Sequence, residues 1–303
     1  MTAQPLGFDD LFDPAFLARV QQFAMSIARA QKGGRLAEQA SNAPGQGLDF
    51  ADFRPYVAGD DLRAIDWNIY RRLGRLFVRV FEERQDMPVH ILVDLSRSMF
   101  IEASPRIHAA QRLALALGAI ALGQQDSIGL YPFSEALSVQ TRAMTGKASL
   151  PRLAGLIAGW QAGGNTALAA AIEQLAAMRL RQGVAVVISD FFDPAGMSAI
   201  GTALGLLRHR LLLVQLIRPE DADPTLNPAF AGELAIEDGE AGGLVEVSIT
   251  PALLTQYKAQ YAAFQQDLLG FAAQRGAALA QIDAGRDVID QLAAIFANGQ
   301  VAL

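Results

Sequence analysis

At 303 residues, 51% hydrophobic and only 18% charged, the chain has the composition of one or two packed domains, not of a disordered segment. It contains no Cys, which removes disulfides, thiolate zinc sites, iron–sulfur clusters and cysteine nucleophiles together. Lys and Arg number 25 against 31 Asp and Glu, a formal net charge of -6 that argues against a dedicated nucleic-acid binder.

The three histidines, His90, His108 and His209, are far apart, and no His-Glu-x-x-His spacing offers a zincin-type centre. The first ten residues lack the basic and apolar regions of a signal peptide. The longest apolar run, residues 113–123, is too short to span a bilayer. A soluble, cytoplasmic protein without a membrane segment is therefore expected.

Helix starts are marked by capping side chains placed before proline at Asp13-Pro14, Ser104-Pro105, Asp193-Pro194 and Thr250-Pro251. The periodic patterns behind them predict helices over residues 16–30, 107–122, 197–207 and 253–273. Short apolar runs bounded by polar or turn residues predict buried strands at 89–93, 128–133, 184–188, 211–217 and 278–282. A short edge strand is expected at 136–141 and an inserted hairpin over 233–249. Strand and helix alternate from Pro88 onward, the signature of a mostly parallel α/β sheet with helices on both faces. Upstream of it, one helix precedes a Gly/Pro/Ser-containing loop at 32–47, and residues 70–81 alternate around Leu73-Gly74 as a hairpin would. The division expected is a smaller α+β segment at 1–86 and an α/β domain at 87–303.

The first strand of that domain runs into Asp94-Leu95-Ser96-Arg97-Ser98. In an open α/β sheet, ligands bind beyond the carboxyl ends of the strands, where strand order reverses. Gly163-Gly164-Asn165-Thr166 opens a later helix, and the strand at 184–188 ends in Ser189-Asp190. Carboxylates and hydroxyls brought together from three such loops form a hard oxygen set suited to magnesium, with manganese or calcium as alternatives. The plain alternative is that these are ordinary turn and capping residues, Thr166 and Asp193 among them.

Asp94-x-Ser96-x-Ser98, Thr166 and Ser189-Asp190 resemble the metal-ion-dependent adhesion site of von Willebrand factor type A domains, which are Rossmann-like, with Asp94, Ser96, Ser98, Thr166 and Asp190 as the metal set. The stretch Phe53-Arg54-Pro55-Tyr56-Val57-Ala58-Gly59-Asp60-Asp61-Leu62-Arg63-Ala64-Ile65-Asp66-Trp67, followed by Phe77-Val78-Arg79-Val80-Phe81-Glu82-Glu83, resembles the bacterial domain-of-unknown-function 58 family. In that family such a stretch precedes an A-type domain. The resemblance implies hydroxyl ligands from Ser96, Ser98 and Thr166, with Asp94 and Asp190 acting through waters or hydrogen bonds. It also implies a MoxR-type AAA+ ATPase as partner in chaperone-like maturation or remodelling, and an acidic residue of a protein ligand as the last group on the metal.

Within the upstream stretch, Arg54, Asp60, Asp61, Arg63, Asp66 and Trp67 read either as a structural clasp of Asp–Arg pairs with Trp67 packed beneath, or as a partner-docking surface. Arg97, between the two serines, is expected to face solvent. No Gly-x-x-x-x-Gly-Lys-Ser/Thr loop occurs. A phosphoaspartyl phosphatase would need an acid at the place of Ser96, and no general base stands beside the cluster. The expectation is a non-enzymatic, metal-dependent interaction module. A metal-dependent phosphoesterase is the alternative, and a nucleic-acid binder ranks third.

Overall fold

The apolar runs of the second part of the chain are strands of one sheet. The computed structural model describes residues 4–33, 49–82, 86–101, 105–227, 230, 232–237 and 244–297. In chain order its elements are α1 (Phe8–Leu11), α2 (Pro14–Gly33), β1 (Asp49–Pro55), α3 (Trp67–Leu73), β2 (Phe77–Glu82), β3 (Pro88–Asp94), α4 (Arg106–Gly123), β4 (Ser127–Phe133), β5 (Thr141–Met144), α5 (Leu150–Ala158), α6 (Leu168–Ala177), β6 (Val184–Ser189), α7 (Gly196–Leu204), β7 (Arg210–Ile217), α8 (Pro219–Ala222), β8 (Gly232–Glu237), β9 (Leu244–Ile249), α9 (Pro251–Arg275), β10 (Ala278–Asp283) and α10 (Val288–Ala297). Two units are distinguished, Met1–Ile27 together with Met87–Leu303, and Ala28–Asp86.

In the larger unit six strands lie in the order β10-β7-β6-β3-β4-β5. All neighbours are parallel except β5, which runs antiparallel to β4. Successive residues of a strand point to opposite faces. Ile91 and Val93, Val186 and Ile188, and Val214 and Leu216 therefore enter one core with α4, α5 and α10. Leu92, Val187 and Leu213 enter the other, with α6, α7 and α9. Burial on both faces is why these strands read as unbroken apolar runs and not as alternating ones.

Residues 4–27 join this larger unit, although the sequence places them in the smaller segment. Phe16, Val20, Phe23 and Ile27 form an i, i+4, i+7, i+11 stripe of α2 that is buried in the first of these cores. Arg19 of the same helix pairs with Asp287 at 2.7 Å and Asp290 at 2.8 Å. A stripe announces that a helix covers apolar surface but not which surface, so the expected segment 1–86 contracts to Ala28–Asp86.

Three local expectations also shift. The edge strand is Thr141–Met144 and not 136–141, because Leu137 makes only an isolated bridge to Phe133. Asp193 does not cap α7, whose N-cap is Ala195. Its carboxylate accepts instead from the N–H groups of Ala195 at 2.7 Å and of Ala169, in the first turn of α6, at 3.1 Å. The caps at Asp13 and Thr250 form as expected, accepting from Phe16 and Leu253. Ser104 and most of the loop 32–47 lie outside the described residues, as does the turn between β8 and β9. Those two strands pair antiparallel, from Gly232 opposite Ile249 to Glu237 opposite Leu244.

In the smaller unit the expected hairpin at 70–81 is a helix followed by a strand. Asp66 accepts from the N–H groups of Asn68 and Ile69 and so starts α3, and Gly74, at φ 64°, ends it. These two capping signals outweigh the alternation around Leu73-Gly74. β2 then pairs antiparallel with β1, from Asp49 opposite Glu82 to Pro55 opposite Phe77, with a bulge between Phe50 and Asp52. Ile65 and Val78, bridged to each other, are buried, and among the described side chains of this stretch no other is. No helix among the described residues is long and apolar enough to cross a membrane.

Candidate metal centre

The chain leaves β3 for β4 on one side and returns to β6 on the other, so strand order reverses at the carboxyl edge of β3. Asp94 is the last residue of β3 and is fully buried. Its Oδ1 accepts from the Ser96 N–H at 2.8 Å, closing an Asx turn. Its Oδ2 accepts from Thr166 Oγ1 at 2.9 Å and from Ser189 Oγ at 2.7 Å. One carboxylate thus holds together the loops that follow β3, precede α6 and follow β6.

Asp190 completes the second half. Its Oδ1 accepts from the Phe192 N–H at 3.1 Å, and its Oδ2 accepts from Ser98 Oγ at 3.3 Å. Ser96 Oγ and Ser98 Oγ lie 3.0 Å apart. Backbone bonds lock the loops around them: Gly163 N–H to the Leu95 carbonyl at 2.7 Å, and Arg97 N–H to the Gly164 carbonyl at 3.1 Å. A Cβ on Gly163 would lie 2.3 Å from Ser134 Oγ, so glycine is what allows this close approach. Phe191, between the Asp190 and Phe192 backbones, takes φ 65°, an uncommon conformation for a side-chain-bearing residue.

The structure therefore brings Asp94, Ser96, Ser98, Thr166 and Asp190 to one place. Thr166 does not cap α6, whose N-cap is Ala167; its hydroxyl serves Asp94. Arg97 is exposed, as expected. Ser189, which the sequence places beside Asp190 in the motif without a role of its own, is a central partner of Asp94. The parallel register, with Val93 opposite Ile188, sets Ser189 level with Asp94.

Two buried carboxylates converge here, and neither makes an ion pair with Lys or Arg among the described residues. Burial pushes the Asp94 carboxyl up, against the pull of the Ser96 N–H and the Ser189 and Thr166 hydroxyls. Burial and the adjacent Asp94 push Asp190 up to about 7, opposed by Arg106, the Phe192 N–H and Ser98. Arg106 is itself buried and pairs with Asp221. No group of three or more His, Cys, Asp or Glu is available to a metal among the described residues. A cation at this place would rest on two carboxylates and three hydroxyls, a hard and weakly charged set that fits magnesium. The repulsion between Asp94 and Asp190 is what such an ion would relieve.

The second cluster divides. Arg54 and Asp60 form a bidentate pair at 2.7 Å for both bonds, and the Val57 N–H adds a third bond to Asp60 at 2.9 Å. The Arg54 guanidinium holds the Asp60 carboxyl down at about 2. Asp61 accepts from the Arg63 backbone N–H at 2.9 Å, and Asp66 caps α3 with Arg79 at 3.7 Å. Trp67 departs from expectation: it is 58% exposed and not packed beneath the clasp. It is the first residue of α3, after the Asp66 cap.

The family described as Protein of unknown function DUF58 matches residues 52–267. Uncharacterised proteins of Mycobacterium bovis and Mycobacterium tuberculosis are 26% identical over 295 residues, covering 95% of this chain and 91% of theirs. Among solved structures, an aerotolerance-related membrane protein from Bacteroides fragilis aligns with TM-score 0.43 and 16% identity over 71% of this chain and 98% of that one. A conserved hypothetical protein BatB from Bacteroides thetaiotaomicron aligns with TM-score 0.40 and 14% identity, over 70% and 98% of the two chains.

Proposed function

We propose, from the premise that the chain belongs to the DUF58 family, that it is a cation-dependent protein-interaction module whose larger unit is a von Willebrand factor type A-like domain. The observation that carries this reading is the convergence of buried Asp94 and Asp190 with Ser96, Ser98 and Thr166 at the sheet's carboxyl edge. Magnesium bound there would supply a coordination position for an anionic oxygen. Asp94 orients the Thr166 and Ser189 hydroxyls and the Ser96 backbone, and Asp190 orients Ser98. Ser98 is only half-buried, which leaves the set open toward solvent on that side. A ligand group suited to such a site is a carboxylate of a protein partner, and the sequence resemblance points to a MoxR-type AAA+ ATPase as the source.

The test is retention of a purified MoxR-type ATPase on the immobilised full chain, with magnesium or with EDTA. Retention in magnesium, lost in EDTA and in a Ser96→Ala/Ser98→Ala variant, is the expected result. Retention indifferent to both would overturn the reading. Metal-dependent hydrolysis of a phosphate ester by the chain alone, lost in Asp94→Ala, would replace it with a phosphoesterase.

A further inference from the structure

The acidic side chains of residues 57–75 are all used locally. Asp60 is engaged by Arg54 and the Val57 N–H, Asp61 by the Arg63 N–H, and Asp66 by the first turn of α3. The basic side chains are not. Arg63, Arg71, Arg72 and Arg75 are exposed and make no ion pair among the described residues. Arg71 and Arg72 sit in the last turn of α3, where the helix dipole accounts for part of their placement. No such account covers the apolar residues between them.

Trp67, Tyr70 and Leu73 recur at i, i+3 and i+6, with the Trp67 and Tyr70 rings in edge contact at 6.1 Å between centroids. Arg71, four residues after Trp67, falls on the same side of the helix. Trp67 is 58% exposed, Leu73 66% and Leu62, in the turn before α3, 61%. Large apolar groups gathered on a surface mark contact sites, and Trp, Tyr and Arg are the residues on which binding energy concentrates.

We infer that Trp67, Tyr70 and Leu73 of α3, with Leu62 and the arginines at 63, 71 and 75 that adjoin them in the chain, form a docking face for an acidic, apolar segment of a protein partner. Charge complementarity selects that occupant: the face's own carboxylates are engaged and its guanidinium groups are open to partner carboxylates. A lipid surface fits less well, since α3 has seven residues and offers about 10 Å of helix, far less than an interfacial anchor. A nucleic acid would stack on Trp67 and Tyr70 but leave Leu62 and Leu73 without partners, and the chain carries a net charge of -6. This inference is independent of the metal.

The test uses the full chain and a fluorescein-labelled peptide of alternating Glu and Leu residues, read by anisotropy. The comparison probes are a Lys–Leu peptide, phosphatidylglycerol vesicles and single-stranded DNA. The Glu–Leu peptide is expected to bind equally in magnesium and EDTA and to blue-shift the emission of Trp67; the only other Trp, Trp160, is 1% exposed. Arg71→Glu/Arg75→Glu and Tyr70→Ser/Leu73→Ser should each weaken binding by about tenfold or more, with unchanged thermal midpoints. Binding undiminished in both variants, or binding to vesicles, DNA or the Lys–Leu peptide in place of the Glu–Leu peptide, overturns the proposal. Dependence on magnesium would do the same, by assigning the contact to the metal centre.

Discussion

Asp94→Ala is expected to destabilise the protein by about 2–4 kcal/mol, whereas Asp94→Asn leaves stability close to wild type and removes the response to magnesium. The alanine variant strips the acceptor from the Ser96 N–H and from the Thr166 and Ser189 hydroxyls, all at a fully buried position. An unpaired buried donor costs about 1–3 kcal/mol. Part of the total is offset because the repulsion with Asp190 goes as well. At about 2–4 °C per kcal/mol for a unit of this size, the midpoint falls by roughly 5–15 °C. Asparagine keeps an acceptor for Ser96, and the two hydroxyls can rotate to accept from its amide. Thermal unfolding of both variants, with magnesium and with EDTA, checks this. An Asn variant stabilised by magnesium as much as wild type would reduce Asp94 to a turn residue.

The second large effect concerns acid. In the metal-free protein the Asp190 carboxyl lies at about 7, above its ordinary 3.8, so between those values the folded state binds more proton than the unfolded one. A raised carboxyl contributes stability below about pH 4 that is lost progressively as pH rises to about 7, with a slope of at most about 1.4 kcal/mol per pH unit. His209 acts the other way. Burial and the neighbouring His90 hold it down at about 4, so its contribution is present above pH 6.5 and lost as pH falls toward 4. The two slopes oppose each other between about pH 4 and 6.5. The difference in unfolding free energy between wild type and Asp190→Asn isolates the carboxyl. In EDTA, the Asn variant should gain on wild type steadily from pH 4 to 7 and then hold its advantage. Magnesium at pH 7.5 should narrow the gap by stabilising wild type alone. A difference independent of pH would mean that Asp190 ionises as an ordinary exposed carboxylate does.

Much of the sheet was legible because burial on both faces leaves continuous apolar runs, and the strands of residues 88–94 and 184–189 came within a residue of their observed ends. The convergence of Asp94, Ser96, Ser98, Thr166 and Asp190 was legible for a related reason, since strand ends at a reversal of order must lie side by side. Ser189 was named with Asp190, but its bond to Asp94 was not legible, because it depends on the β3–β6 register, and a periodic pattern carries no register between distant strands. The placement of α2 was hidden in the same way: its apolar stripe is plain, its partner surface is not. In the smaller unit the alternation of residues 70–81 competed with an Asp66 cap and a Gly74 stop, and the local hydrogen bonds prevailed. Trp67 was misplaced because an aromatic residue beside a clasp is ordinarily core, whereas here it stands exposed at the start of α3.

The proposed function stands on a cation held by the hydroxyl and carboxylate set at the end of β3. Its most direct test is thermal unfolding of wild type and of Ser96→Ala/Ser98→Ala in magnesium, manganese, calcium and EDTA. At about 100 times its dissociation constant, a bound ion adds about 2.7 kcal/mol, enough to raise the midpoint by several degrees. That rise is expected in wild type, largest with magnesium or manganese, and is expected to be lost in the double variant. Equal midpoints in EDTA and in saturating metal, or a rise that survives in the variant, would contradict it.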